Sequence, residues 1–306
     1  TYYLAVTALA GGMESEPSSQ VTAVPSMKTD EINKPWLLLG GGFDGMHPSM
    51  FLDEDGVLYV GYLEDAAVTV QNYADGEWSV VGDRQFSERN SYQPNLYVDR
   101  DVPYVVYETQ NHEAVVMKFD GEAWVPVGDE PLAETDTNRF SMVVHESVPY
   151  IAYVEDLEDL PYGTYGKLKL KRLAEDGRWV PMGDAPLFPE ARSDSVTLRY
   201  DGFRHLMLSF ETIDGATNLY QWDMEADAPQ WQEIEFPGVM NGIMSDMTAA
   251  GDSLYLLMEY YYGMDVWKYN RTDDAWSNLG GQFPGVKGAL AVDGDIPYVV
   301  YVREAD

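Results

Sequence analysis

Short apolar segments separated by tight turns recur along most of the chain. In each repeat a segment that ends near Asp or Gly is followed by a turn and by a second apolar segment. The first segments are 49–56, 95–101, 141–147, 196–202, 247–252 and 289–295, and the second segments are 57–62, 102–107, 148–153, 205–210, 253–258 and 296–301. Third segments follow at 68–73, 114–119, 168–173, 218–223 and 265–270. Runs of this length, rich in Val, Tyr, Leu and Phe and bounded by turn residues, predict β-strands.

A tryptophan after a turn closes each repeat and predicts a fourth strand. DGEWSVVGD (75–83), DGEAWVPVGD (120–129) and DGRWVPMGD (176–184) carry the turn, the tryptophan and a glycine, with weaker copies at 273–280 and 35–40. The repeated tryptophans are Trp36, Trp78, Trp124, Trp179, Trp231 and Trp276. Their spacing is that of the four-stranded blades of β-propellers. We expect the tryptophan to pack between neighbouring blades and the glycine to let the chain leave the blade edge.

Six tryptophan strands predict an all-β chain with six blades, each of four antiparallel strands. The sixth blade would take two strands from 289–304, its fourth strand from 36–40 and its third from 20–24, so that one blade shared between the N- and C-terminal strands closes the ring. Prolines at 126 and 181 place the tryptophan strand at a sheet edge, where no ladder donor is lost. Over residues 34–306 the pattern resembles bacterial six-bladed β-propellers with kelch-like or sialidase-like blade order.

The first 25 residues carry a second resemblance. TYYLAVTALAGGMESEPSSQVTAVP resembles the last two strands of a fibronectin type III domain. We therefore expect a fibronectin-like hairpin and linker at 1–33, followed by the propeller at 34–306. The resemblance implies a secreted or cell-surface bacterial protein, with this part a monomer inside a larger multidomain chain. In the alternative, the hairpin belongs to the propeller itself. The two interpretations are compatible if a hairpin of fibronectin origin supplements the last blade.

The charge and composition of the chain restrict the classes of partner that it could bind. Fifty-two acidic against nineteen basic residues give a net charge of −33, which argues against nucleic acid and anionic membranes as partners. No apolar run is long enough to span a membrane, so we expect no membrane insertion. The acidity fits a solubilising surface, calcium binding or adaptation to high salt. Cysteine is absent, which excludes disulfides and thiol chemistry.

Candidate chemistry collects on one predicted face, the channel mouth, where the turns between second and third strands join the connections between blades. An acid ends each second strand: Glu64, Glu108, Glu155, Glu211, Glu259 and Glu304. These acids are either a structural feature of the repeat or a negative ring that attracts a cation or a basic peptide. Basic residues occupy the connections: Arg84, Arg89, Arg139, Arg192, Lys287 and His47. They are either ion-paired or form a carboxylate clamp.

Two predicted loops depart from the repeat. Residues 156–166 lengthen the third blade, and residues 259–265 hold three consecutive tyrosines. Exposed tyrosines stack on sugar rings or enter protein interfaces, although strand alternation could turn some of them inward. The candidates are Tyr162, Tyr165, Tyr260 and Tyr261. Acids at 156, 158 and 159 raise calcium as a weak alternative, but their spacing matches no calcium-loop motif, and we otherwise expect no cofactor and no metal site.

The leading hypothesis is a non-catalytic module that recognises a glycan or a protein. The four candidate tyrosines, together with Arg89, Arg139 and Arg192, would form its recognition face. The alternative is a carbohydrate-active enzyme, a glycosidase, a sialidase-like enzyme or a polysaccharide lyase, that uses acids from Glu108, Glu155 and Glu211. The sialidase Asp-box and the hydrolase motifs are absent from the sequence. A third alternative is a structural spacer whose acidity keeps a surface protein soluble.

Overall fold

A computed structural model of the chain describes residues 3–10, 13–14, 21–22 and 45–302, with gaps at 54, 136, 162, 184–187, 189, 194, 228, 237–241, 261–262, 280–285 and 294–295. All named elements in these ranges are β-strands, and they form six antiparallel sheets. None of these residues belongs to a helix that could cross a membrane. The chain groups into two compact units, one of residues 39–198 and one of residues 1–38 and 199–306.

Three sheets lie in the unit of residues 39–198, and each follows the predicted order of four strands. The first sheet contains β4 (Met46–Leu52), β5 (Leu58–Glu64), β6 (Ala67–Ala74) and β7 (Glu77–Val80). The second contains β8 (Tyr92–Asp99), β9 (Val102–Glu108), β10 (Ala114–Phe119) and β11 (Trp124–Pro126). The third contains β12 (Thr137–His145), β13 (Val148–Leu160), β14 (Gly163–Leu173) and β15 (Trp179–Pro181), with β16 (Glu190–Arg192) paired to β14.

The fourth to sixth sheets belong to the other unit, apart from the first two residues of β17. The fourth sheet contains β17 (Thr197–Tyr200), β18 (His205–Glu211), β19 (Thr217–Asp223) and β20 (Trp231–Glu233). The fifth contains β21 (Ile243–Ala250), β22 (Ser253–Tyr260), β23 (Gly263–Asn270) and β24 (Ala275–Asn278). The sixth contains β25 (Val286–Asp293) and β26 (Ile296–Val302) together with β1 (Tyr3–Ala10), β2 (Met13–Glu14) and β3 (Val21–Thr22).

The sixth sheet joins strands from both ends of the chain, as predicted, but the N-terminal segment that pairs with the C-terminal strands is not the predicted one. We predicted its third strand at 20–24, whereas β1 pairs with β26 from Leu4↔Val302 to Ala8↔Tyr298. Val21 and Thr22 pair instead with Leu4 and Tyr3 of β1. The eight-residue β1 forms more ladder bonds beside β26 than a shorter strand could form. The predicted fourth strand at 36–40 lies outside the described residues, and the domain boundary at 33/34 stays a prediction.

Hydrophobic cores lie between successive sheets rather than within one sheet. One cluster combines side chains of the first and second sheets, and another combines those of the second and third. In the other unit, clusters join the fourth to the fifth sheet and the fifth to the sixth. The second and fifth sheets each take part in two clusters and therefore bury both faces, which explains why their middle strands are almost continuous apolar runs.

The repeated tryptophan and glycine belong to these contacts between sheets. Trp124 Nε1 donates a hydrogen bond to the carbonyl oxygen of Val81 in the preceding sheet, at 2.9 Å, and its ring stacks on Phe86 with centroids 4.1 Å apart. Trp276 Nε1 donates in the same way to the carbonyl oxygen of Glu235. Gly82 has φ +70° and lies under Trp124, so a Cβ there would come within 3.0 Å of Nε1. The glycine therefore ends the strand and also leaves room for the tryptophan ring of the next sheet.

Both regions that we predicted as unusual loops are hairpin arms. β13 continues to Leu160 and β14 begins at Gly163, so most of 156–166 is paired strand. The 259–265 segment is likewise divided between β22 and β23, with Tyr260 paired to Gly263. The loop prediction was wrong because the flanking strands continue into both segments. In the first, the departure from the repeat is a bulge between Glu155 and Glu158 and a tight turn between Leu160 and Gly163, which pair with each other.

Candidate functional site

The first strands of the first three sheets share a β-bulge near their beginning. Pairing shifts between Met46 and Ser49, between Tyr92 and Asn95, and between Asn138 and Ser141. The first residue inside each bulge, which we call the bulge residue, has left-handed φ: 52° at His47, 50° at Gln93 and 52° at Arg139. A bulge bends the strand and re-aims a side chain, and left-handed φ at a residue with a Cβ is strained. Such strain clusters at ligand sites and is therefore a pointer to function.

A cavity of about 420 Å³ opens at these bulges. Its size falls in the range of small-molecule sites. The lining contains the three bulge residues, the two residues after His47 and after Gln93, and the one residue after Arg139. These are His47, Pro48, Ser49, Gln93, Pro94, Asn95, Arg139 and Phe140. Polar side chains thus stand beside the apolar surfaces of two prolines and a phenylalanine. All of these residues belong to the unit of residues 39–198.

Hydrogen bonds from backbone to side chain hold the bulges of neighbouring sheets together. The hydroxyl oxygen of Ser49 accepts from the N–H of Leu96 at 2.9 Å, and Asn95 Oδ1 accepts from the N–H of Met142 at 3.1 Å. The same bond recurs from the N–H of Leu198 to Ser141 at 2.8 Å. Each of these bonds joins the first strand of one sheet to the first strand of the next. The cavity wall is therefore formed by the strands themselves and not by loops.

A further bond connects two bulge residues directly. Gln93 Oε1 accepts from the backbone N–H of Arg139 at 2.8 Å. The guanidinium of Arg139 is exposed, and within the described part of the chain it has no acidic partner. Arg84, in contrast, pairs with Glu64 at 2.9 Å, and this contact raises the pKa of the Arg84 guanidinium. In a chain of net charge −33, an arginine that lines a cavity without a carboxylate partner is unusual.

The acids at the ends of the second strands are held by neighbouring groups. Glu108 is buried and accepts from the hydroxyl and N–H of Thr137, at 3.0 and 3.3 Å, and contacts His112 Nδ1 at 3.0 Å. Glu155 pairs with Lys169 at 3.0 Å, and Glu211 is buried. These contacts favour the alternative that the acids are a structural feature of the repeat: Glu108 joins the second sheet to the start of the third, and Glu155 pairs within the third sheet. Glu304 lies outside the described residues.

The predicted tyrosine face is placed only in part. Tyr165 is 4% exposed, which matches the alternative that strand alternation turns its ring inward. Tyr260 is half-buried against the core of the fourth and fifth sheets, and Trp267 Nε1 donates to its hydroxyl oxygen at 3.2 Å. Burial raises the pKa of the Tyr260 hydroxyl. Tyr162 and Tyr261 lie outside the described residues.

The three predicted arginines do not share one wall. Arg139 lines the cavity. Arg89 is exposed in the connection between the first and second sheets and is not part of the lining. Arg192 ends β16 and pairs across the ladder with Tyr165. Lys287 lies in β25, where pairing also shifts between Val286 and Ala289.

The acids considered for calcium have other partners. Asp156 pairs with Lys167 Nζ at 2.7 Å, which lowers the pKa of the Asp156 carboxyl, and Asp159 accepts from the hydroxyl of Thr164 at 2.6 Å. Within the described ranges, no group of three or more acidic or histidine side chains is arranged to hold a metal ion. Calcium stays the weak alternative of the sequence analysis, and the expectation of no metal site stays a prediction.

Sequence reasoning identified His47 and Arg139 but missed Gln93, Asn95 and Ser49. A signal was present, because HPS at 47–49, QPN at 93–95 and RFS at 139–141 stand at the same point of three successive repeats. Each triplet places a large polar residue at the bulge. It is followed by Pro or Phe, and then by a short side chain that accepts the bond from the next sheet.

No family model matches this chain, and no curated protein does. Solved structures do match. AofleA from Arthrobotrys oligospora has 12% identity and a TM-score of 0.53, covering 84% of this chain and 79% of its own. YjhT has 12% identity and a TM-score of 0.51, covering 80% and 87%. A lectin from Aleuria aurantia, in complex with α-methyl-L-fucoside, has 10% identity and a TM-score of 0.50, covering 83% and 86%. With the all-β sheets above, these similarities show a β-propeller fold.

Proposed function

We propose that the protein is a non-catalytic recognition module that binds a glycan in the cavity at the bulges of β4, β8 and β12. The observation that carries this proposal is the cavity lining, in which five polar side chains stand beside two prolines and a phenylalanine. A sugar presents the complementary surface, with hydroxyl groups around its edge and C–H groups on its faces. Pockets of this kind fix a small polar ligand by a few placed hydrogen bonds.

The hydrogen bonds between the strands support binding without a large rearrangement of the cavity. The bulges are fixed by bonds from backbone N–H groups to Ser49, Asn95 and Gln93, so these polar side chains are already ordered. A pre-ordered site loses less conformational entropy when a ligand binds. The lectin from Aleuria aurantia shows that a protein of this fold can hold a sugar derivative. A secreted or cell-surface location belongs to the same proposal and rests on the resemblance of residues 1–25 to the last strands of a fibronectin type III domain.

Recognition is favoured over hydrolysis by the contacts of the candidate acids. A glycosidase needs two carboxyl groups about 5–10 Å apart that flank the bond to be broken. Glu108 and Glu155 are engaged by Thr137 and Lys169, and none of the described side chains that line the cavity is a carboxylate.

Replacement of Arg139 by alanine is expected to reduce glycan binding by about tenfold or more, because a hydrogen bond from a charged donor contributes about 1.5–3 kcal/mol. The measurement is a glycan-array screen followed by calorimetric titration of the best ligand. Arg178→Ala is the matched control, since Arg178 is an exposed arginine paired with Asp176 on the β14–β15 turn. It removes the same charge from the same unit.

Two results of the binding measurements would contradict the proposal. The first is that the wild-type protein binds no glycan on the array. The second is that the Arg139 variant binds as the Arg178 variant does, which would place the glycan elsewhere. Mass spectrometry of the bound glycan after incubation gives an independent readout, because cleavage would contradict a non-catalytic role.

A further inference from the structure

We propose that this cavity selects sugars that carry a carboxylate group, such as uronic acids, over their neutral counterparts. This inference rests on the proposed glycan-binding function and specifies the ligand class. It follows from an asymmetry at Gln93, Asn95 and Ser49 of the lining: their oxygen atoms accept hydrogen bonds from the protein, whereas their donors have no partner among the described residues.

Three polar side chains of the lining use their oxygen atoms within the protein. Gln93 Oε1 accepts from the N–H of Arg139, Asn95 Oδ1 accepts from the N–H of Met142, and the hydroxyl oxygen of Ser49 accepts from the N–H of Leu96. Since each backbone N–H needs an acceptor, these bonds also fix which end of each amide is the oxygen. Gln93 Nε2, Asn95 Nδ2 and the hydroxyl hydrogen of Ser49 remain as donors.

Arg139 adds a cation to this set of donors. A guanidinium has five N–H donors and no acceptor, and its planar fork matches the two oxygens of a carboxylate. The part of the chain that the structure describes supplies no acid to Arg139. A carboxylate on the ligand would be the acidic partner of Arg139.

A donor-rich lining discriminates between neutral and acidic sugars. A hydroxyl group both donates and accepts, so apart from His47 its own hydrogen must share the oxygens of Gln93, Asn95 and Ser49, which already accept a backbone N–H. An ionised carboxylate only accepts, at about four lone-pair positions. A buried polar group without a hydrogen-bond partner costs free energy. A carboxylate ligand therefore binds more tightly for two reasons: it accepts bonds from the donors of the lining, and it leaves no hydroxyl hydrogen of its own unpaired at that position.

The negative charge of the whole protein opposes an anionic ligand but does not decide its binding. At physiological ionic strength the Debye length is about 8 Å, so any exposed acidic residue farther than this from the cavity is largely screened from it. Direct hydrogen bonds from Arg139, Gln93 and Asn95 act at contact distance and are screened much less. Net repulsion therefore slows association, whereas the local donors set selectivity.

The test compares matched sugars that differ only at one carbon, by calorimetry or by NMR titration at about 0.15 M salt. The pairs are glucuronate with glucose and galacturonate with galactose, each as the methyl glycoside. The acidic member of at least one pair is expected to bind about tenfold or more tightly than the neutral member. Acetate is titrated alongside, to separate binding of a carboxylate from binding of a sugar.

Two substitutions isolate the donors without disturbing the frame. Gln93→Glu and Asn95→Asp keep the oxygen that accepts the backbone N–H but replace the donor amide by a second carboxylate oxygen. Each is expected to weaken uronate binding by about tenfold or more, with a smaller effect on the neutral sugar. Asn111→Asp adds the same charge at the exposed β9–β10 turn and serves as the control.

The outcomes separate this inference from the function on which it rests. Equal affinity for the acidic and neutral members would overturn carboxylate selection and leave glycan binding standing. Binding of acetate that depends on Arg139, with no sugar bound, would overturn the glycan ligand. Uronate binding that the Gln93 and Asn95 variants retain would overturn the assignment of the donors.

Discussion

Replacement of Asp201 by alanine is expected to lower the free energy of unfolding by about 3–5 kcal/mol, because it leaves a buried charge without its partner. The Asp201 side chain is fully buried and lies 3.0 Å from Arg271 Nη2, whose side chain is 9% exposed. Asp201 also accepts hydrogen bonds from the N–H groups of Phe203, Arg204 and His205, at 2.9, 2.7 and 2.9 Å. Urea denaturation at pH 7 measures the loss.

The control for this substitution is Asp120→Ala. Asp120 makes the same kind of turn, accepting from the N–H groups of Glu122 and Ala123 at 2.9 and 2.8 Å, but it is exposed and pairs with no buried cation among the described residues. A much smaller loss is expected there. Equal losses in the two variants would show that the turn, and not the ion pair with Arg271, supplies the stability.

The contribution of Asp201 also has a defined pH dependence. Burial alone would raise the pKa of the Asp201 carboxyl, but N–H donors from His205, Arg204 and Phe203 outweigh it and hold that pKa below its ordinary value. A carboxyl with a lowered pKa stabilises the folded state above the unfolded pKa of about 3.9 and loses this effect as pH falls through the folded value. The stability difference between wild type and Asp201→Ala should therefore shrink between pH 5 and pH 2, and a constant difference would contradict it.

Most of the strand architecture could be predicted from the sequence because each strand carries its own signal. The middle strands of the second sheet, for example, are apolar on both faces, since a core lies on each side of that sheet. Pro126 and Pro181 predicted edge strands, and β11 and β15 are edge strands. The exception was the sixth sheet, where 20–24 and 3–10 both read as short strands. Only tertiary pairing decides which of the two lies beside β26.

The candidate site was less predictable, because it depends on geometry that no single segment encodes. His47, Gln93 and Arg139 differ in type and are 46 residues apart in sequence, and their common feature is a bulge with left-handed φ. Gln is not a residue that usually marks left-handed φ. Likewise, the availability of donors at Asn95 and Gln93 follows only from where the backbone N–H groups of Met142 and Arg139 lie.

Replacement of Gly128 by alanine is expected to cost more stability than replacement of Gly121, although both glycines have positive φ. Gly121 has φ +104° and no atom within 4 Å of a built Cβ, whereas Gly128 has φ +90° and a Cβ would lie 2.7 Å from Trp179 Nε1. Both variants bear backbone strain of about 1–3 kcal/mol. Only Gly128→Ala adds overpacking against the next sheet, of about 1–3 kcal/mol. Paired urea denaturation curves measure the difference.

A double-mutant cycle with Trp179→Phe then assigns that difference to the tryptophan. Trp179 Nε1 is buried and has no hydrogen-bond partner in the described part of the chain, so phenylalanine removes the clashing atom without breaking a bond. In the Trp179→Phe background, Gly128→Ala should cost about as much as Gly121→Ala does in the wild type. The coupling energy would then equal the overpacking of about 1–3 kcal/mol. A coupling near zero would show that the glycine is required for its backbone conformation alone, and that the repeated tryptophan does not need a glycine beneath it.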